Sequence, residues 1–182
     1  IFALAAILPW TFFANSLQRS TLSVVTEGGL IKKVYFPRLI IPISATFVNL
    51  VDFSVGLLIL IGMMVWYQIV PQWTLLWLPL FIAVALATAL SVSLWLSALN
   101  VKYRDVASVV PLLTQLWMFA SPVFYPASLV PERYRFYYGL NPMAGVIEGF
   151  RWALLGKAAP DWGMMAVSLG MVSVLLVGGV FF

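Results

Sequence analysis

The 182-residue chain contains no cysteine and no histidine. Without thiols there are no disulfides and no thiolate nucleophile; without imidazole there is no histidine acid–base chemistry. The usual zinc sets go with them. Charge is scarce too: 9% of residues are charged, against 63% hydrophobic. A mean hydropathy of +1.04 is more than a soluble domain of this size sustains. Apolar runs of roughly 18 residues or more recur, which marks a polytopic α-helical membrane protein. The net charge of +4 is scattered over short connections, so it reads as orientation and not as nucleic-acid binding. Ile1 and Phe182 both lie inside apolar runs, and the first run lacks a signal peptide's basic start. The stretch therefore reads as a piece of a longer protein, cut within membrane segments.

What is present is organised around Asn100 to Pro126, NVKYRDVASVVPLLTQLWMFASPVFYP. Lys102, Arg104 and Asp105 form a charged elbow, and Val106 to Tyr125 is free of charge, about the ~20 residues a bilayer core requires. Ser121-Pro122 and Tyr125-Pro126 then prevent a regular helix from continuing.

Before the elbow, residues 1–18 form an apolar segment with Pro9 as a kink and an aromatic band of Trp10, Phe12 and Phe13. Glu27-Gly28-Gly29 is a loop. Leu30 to Phe36, LIKKVYF, fits two helical turns with Leu30, Ile31, Val34 and Tyr35 on one face and Lys32 and Lys33 away from it. An interfacial turn with snorkelling lysines explains that pattern equally well. A second span is expected over 39–66 and a third over 74–99. Ala83, Ala85, Ala87, Ala89, Ser91 and Ser93 mark the third as a helix that packs closely against others. After the elbow and fourth span, a fifth begins near Trp162.

Arg19, Lys32, Lys33, Arg38, Lys102 and Arg104 fall on one side of these spans. Arg133, Arg135, Arg151 and Lys157 fall on the other, offset by Glu132, Glu148 and Asp161. The elbow is therefore cytoplasmic. Five spans leave the first residue outside, so a chain starting in the cytoplasm has a sixth span upstream.

Residues 126–161 are too polar to span simply and too aromatic for a solvated loop. Pro131 opens a short helix that stops at Gly139. Asn141-Pro142 repeats the start signal, and Gly156 ends a helix of about 21 Å at ~1.5 Å per residue, short of the ~30 Å core. Val146, Ile147, Phe150 and Leu154 follow helical spacing, and Glu148 and Arg151 stand one turn apart. Two short helices re-entering the outer leaflet fit this pattern; an interfacial hairpin without a transport role is the alternative.

No catalytic constellation is found. Gly149 and Gly156-Lys157 miss the phosphate-loop spacing, and Ala158 stands where Ser or Thr is required. Gly145 and Gly149 make a GxxxG in a segment too short to span. Asp52, mid-span beside Asn49, must face the bundle or an aqueous path, either as an interhelical hydrogen-bonding group or in transport.

PWTFF, GGLIKKVYFPRLIIPIS, NVKYRDVASVVPLL and SPVFYPASLVPERYRFYYGLNPMAGVIEGFRWALLG, in this order and spacing, resemble ABC-2-type transporter permeases. The likeness is greatest to exporters of lipid-linked polysaccharide or polyol phosphate (O-antigen, capsule and teichoic acid). It covers nearly the whole chain and implies a single all-α transmembrane domain, 1–182, in the bacterial cytoplasmic (inner) membrane. By that resemblance, Leu30, Ile31, Lys32, Lys33, Val34, Tyr35 and Phe36 form a coupling helix on a separate ABC ATPase subunit, with Arg104 and Asp105 on the same side. The re-entrant outer gate is about 126–156, with Pro122, Tyr125, Asn141, Pro142, Glu148 and Arg151 as its residues. Two copies of the permease enclose the channel. Trp10, Phe13, Asp52, Trp117 and Phe119 are the channel or bundle candidates, the aromatics suiting sugar faces or, equally, a lipid belt. The chain itself is then no enzyme and holds no cofactor or metal; ATP and Mg belong to the partner. The alternatives are a permease for a small drug or lipid, and a membrane transferase acting on polyprenyl lipids. The transferase is opposed by the want of grouped carboxylates.

Overall fold

The computed structural model describes residues 1–27, 39–69, 72–126, 129–156 and 160–181. Among them are α1 (Phe2–Thr26), α2 (Ile40–Trp66), a 3-10 turn (Trp73–Trp77), α3 (Leu78–Lys102), α4 (Val106–Phe119), α5 (Glu132–Gly139), α6 (Pro142–Leu155) and α7 (Trp162–Phe181), with no strand among the described residues. The expected all-α membrane bundle is what forms. By length and apolarity, α2, the turn with α3, and α7 can each cross a membrane. The other two expected spans are less simple. α1 has 25 residues but carries Asn15, Gln18 and Arg19 along its length. α4 stops at Phe119 after 14 residues, about 21 Å at ~1.5 Å each, because the chain turns at Ser121-Pro122.

The chemistry at each helix end explains its boundaries. Asn141 caps α6 by accepting from the Met143 amide at 3.1 Å. Gly156 closes α6 at φ 63°, where any side chain would be strained and would also meet Gln72. Asp161 Oδ1 accepts from the Gly163 and Met164 amides at 3.0 and 3.2 Å and so starts α7.

The core is centred on α1, which packs against α2, α3, α4 and α6. Ala5, Ala6, Trp10, Phe13 and Leu17 are buried on it, and its small polar residues bring neighbours close. Ser20 Oγ lies 3.0 Å from Thr46 Oγ1, and Asn49 Nδ2 donates to Ser16 Oγ at 3.3 Å. In α3, Ala85, Ala89, Ser91 and Ser93 are buried, as expected of a packing helix, although Ala83 faces outward. Much of the outer surface is apolar, including Leu58 on α2 and Val174 and Val177 on α7. Water tolerates such surfaces poorly and hydrocarbon tolerates them well.

One side chain joins the elbow to the bundle. Asn100, buried near the end of α3, donates to the Thr21 carbonyl at 2.8 Å and accepts from the Ala107 amide at 3.2 Å. The ends of α1 and α3 and the start of α4 thus lie together, as the charge pattern expects of the connections 19–38 and 100–106.

Candidate functional site

At the end of the bundle away from the elbow, a buried arginine on α6 holds the turn that follows α4. Leu154, Phe150, Ile147 and Val146 bury one face of α6, while Gly145 and Gly149 let it sit between α7 and α3. A Cβ on Gly145 would stand 2.8 Å from the Cβ of Ser168, and one on Gly149 would run into the Phe81 ring. The GxxxG is therefore a close-packing device inside this chain. Wedged this way, α6 turns Arg151 inward, with 5% of its side chain exposed.

Arg151 Nη2 donates to the Val123 carbonyl at 2.6 Å, and Nη1 donates to the Tyr125 carbonyl at 3.0 Å and to Glu148 Oε1 at 3.1 Å. The guanidinium also lies 3.9 Å above the Phe2 ring centre. Arg151 Nε has no partner among the described residues. Glu148 and Arg151 meet one turn apart, as their spacing requires, yet the arginine's shortest bond is to backbone. Its planar fork suits two adjacent carbonyls as a lysine ammonium would not. Removing one partner of a buried pair costs about 3–5 kcal/mol, since the other charge is left uncompensated.

Asn141 joins the same turn to α6. Its Oδ1 accepts from Trp117 Nε1 at 3.1 Å besides the Met143 amide, and its Nδ2 donates to Ser121 Oγ at 2.8 Å and to the Ala120 carbonyl at 3.3 Å. Both ends of the amide are thus used in full. Pro142 is buried beside it, and Pro122 is buried in the turn. Tyr125 and Tyr138 bring their hydroxyls to 2.8 Å, linking the turn to α5. Ser168 on α7 donates to the Gly139 carbonyl at 2.9 Å and accepts from the Gly145 amide at 3.3 Å, closing the α5–α6 connection from behind. Arg135 on α5 reaches Asp161 at 3.4 Å. All six candidate outer residues therefore gather around one turn and one short helix.

The other candidates are placed differently. Trp10 and Phe13 are buried in the core of the bundle. Trp117 stacks edge-on against Phe13 at 5.3 Å, and Phe119 is exposed beside Phe124. Among the described residues Asp52 makes no buried interhelical hydrogen bond; its neighbour Asn49 does. Instead Asp52 is 64% exposed and faces Arg19 of α1 at 3.7 Å. Asp52 lies midway along α2, where a charge costs about 2.5–3.5 kcal/mol to insert, and Arg19, toward the end of α1, reaches back to offset it. Arg104 and Asp105 are exposed at the elbow. Leu30 to Phe36 lie outside the described residues.

Sequence reasoning missed Asn100, Ser168 and the arginine's carbonyl bonds. The signal for the first two was a small polar residue within an apolar run; carbonyl partners leave no mark in a sequence.

The geometry describes a closed, bonded end of a helical bundle with no grouped carboxylates among the described residues that could hold a metal. Comparison with known proteins gives it a context. The chain is 30% identical over 179 residues to the O-antigen export system permease protein RfbA of Myxococcus xanthus, covering 96% of this chain and 68% of that protein. It is 28% identical over 152 residues to the protein of the same name from Klebsiella pneumoniae, covering 83% of this chain and 59% of that one. The family model of the ABC-2 type transporter matches residues 1–155. The chain is a membrane part of a transporter and belongs to the ABC-2 type transporter family.

Proposed function

We propose that this chain is the membrane-embedded part of the permease subunit of an ATP-driven exporter. Its substrate is a lipid-linked polysaccharide of the O-antigen kind, and its site is the bacterial inner membrane. The observation that carries the reading is the likeness to two O-antigen export permeases over 83–96% of the chain. ATP and Mg are held by a separate ATPase that docks on Leu30 to Phe36, beside Arg104 and Asp105. Two copies of the permease enclose the path, and α5 with α6 forms a re-entrant gate at its outer end. In support, α6 is too short to span at 14 residues, about 21 Å at ~1.5 Å each, yet its side chains are buried against α1, α3 and α7.

The test is complementation. A strain whose own O-antigen permease is deleted receives the full-length protein with its cognate ATPase. Return of polymer to the cell surface is expected. Polymer retained inside, with the permease inserted and its ATPase bound, would overturn the reading; drug efflux in that same strain would assign a small amphiphile instead.

A further inference from the structure

Among the described residues, exposed polar side chains on the long helices are mostly scattered singly, as Ser54 on α2, Gln115 on α4 and Ser173 on α7; on α1 they form a line. On α1, Thr11, Asn15 and Arg19 are exposed at successive turns, with Gln18 half-buried beside them. These positions share one helix face by spacing. The opposite face carries Ala6, Phe13 and Leu17 into the core. Next to the line, on α2, stands Asp52, 3.7 Å from Arg19, with more than half of each side chain exposed. By comparison Leu58, Leu112, Leu116, Val174 and Val177 populate the exposed faces of α2, α4 and α7. Polar and charged groups are costly against hydrocarbon and uncompensated against a dry apolar surface. The face that suits all five is water.

Two cavities lie elsewhere in the bundle, and the one of ≈ 470 Å³ is bordered by Val92, Leu140, Met171 and Leu175 and by Trp95 and Asn141, whose polar atoms are already bonded within the chain. The cavity of ≈ 320 Å³ between α3, α6 and α7 is lined by side chains such as Phe81, Val84, Val146, Met165 and Val172. It offers a hydroxylated polymer almost nothing to bond.

We propose that the line Thr11–Asn15–Gln18–Arg19, with Asp52, is the wetted wall of the transport path, and that these groups exchange hydrogen bonds with the hydroxyls of a passing sugar chain. The proposal rests on the export reading and gives that path a surface. Hydroxyl and amide groups that both donate and accept make many weak contacts with a sugar. Conduction requires binding that is weak and repeated. The Arg19–Asp52 pair adds one donor cluster and one acceptor cluster with no net charge, so neutral residues of the polymer are not held fast.

Residues 1–182 have no cysteine, and a parallel sample without introduced cysteine gives the background from the rest of the full-length protein and its ATPase. Asn15→Cys and Gln18→Cys are compared with Val174→Cys on the aliphatic face and Phe13→Cys in the core. The full-length protein is used in membrane vesicles, with its ATPase, and treated with a charged, membrane-impermeant methanethiosulfonate. A thiol reacts as thiolate, and an apolar setting that raises its pKa by one unit removes about nine-tenths of that species. The α1 variants are therefore expected to react at least ~tenfold faster than both references. Export should fall as the bulky adduct forms. Reaction at the references' rate overturns the proposal, as does a disulfide between two copies at these positions without labelling. Variants that label as expected, in a protein that exports no polymer even without introduced cysteine or adduct, remove the export reading, while the water-lined face stands on its rates.

Discussion

Arg151 donates to the carbonyl of Val123 at 2.6 Å, across 28 residues of chain, and so fastens α6 to the turn after α4. Replacing it with lysine keeps the charge and loses the fork. Arg151→Lys should cost about 1.5–3 kcal/mol, the range for hydrogen bonds to charged groups. The readouts are a lower unfolding temperature in detergent and faster leak of a small dye from proteoliposomes. Exchanging the charges (Glu148→Arg with Arg151→Glu) should not restore closure, because a carboxylate then faces the two carbonyls. Wild-type stability in the lysine variant would show that the charge alone suffices.

Asn141 serves as both cap and cross-link. Asn141→Asp keeps the acceptor for the Met143 amide and Trp117 but loses the donor to Ser121. Asn141→Ala loses all of them. The alanine variant should therefore be the weaker of the two. Loss of the cap alone accounts for about 1 kcal/mol. Thermal unfolding of the three proteins in one detergent gives the order directly, and equal unfolding of both variants would mean that the cap is the whole contribution.

Gly149 admits the Phe81 ring where a methyl group would stand. Gly149→Ala should overpack this contact by about 1–3 kcal/mol. Phe81→Leu in the same protein should recover part of the loss. A double-mutant cycle measures the coupling. Additive losses would place the strain elsewhere on α6.

At the cytoplasmic side, Tyr35→Asp tests the proposed ATPase contact. An interface hot spot typically contributes about 2 kcal/mol or more, roughly thirtyfold in affinity. Pull-down of the ATPase should weaken by that factor, and export should fall while membrane levels hold. Unchanged binding would move the contact off LIKKVYF.

Apolar runs, Pro and Gly marked most of the helices before any coordinates, because the bilayer leaves so few alternatives. The start of α6 at Asn141-Pro142 and its end at Gly156 were legible for the same reason: each residue there does one local job. The length of α4 was less legible. Twenty uncharged residues look like one span, and only the turn at Ser121-Pro122 divides them. The candidate site was half visible. Glu148 and Arg151 announce themselves by spacing, whereas the carbonyls of Val123 and Tyr125 have no side-chain signature. Trp10 and Phe13 show the opposite limit. An aromatic in a membrane helix has the same letter whether it faces sugar, lipid or core, and here both face core.

Asparagines hold α4 at its two ends: Asn100 takes the Ala107 amide in its first turn, and Asn141 takes the Trp117 indole in its last. Between them lies a single weak joint, Pro111, which has no amide hydrogen for the helix ladder. The helix is thus a strut pinned at both tips. Work done on the elbow has three outlets: one pin parts, the strut bends at Pro111, or its outer tip moves and takes the turn at 120–125 along. If the proposed ATPase pushes at the elbow, the stiffness of these fourteen residues, together with the packing of α1 on α4 and α6, sets how much of that stroke reaches the far turn.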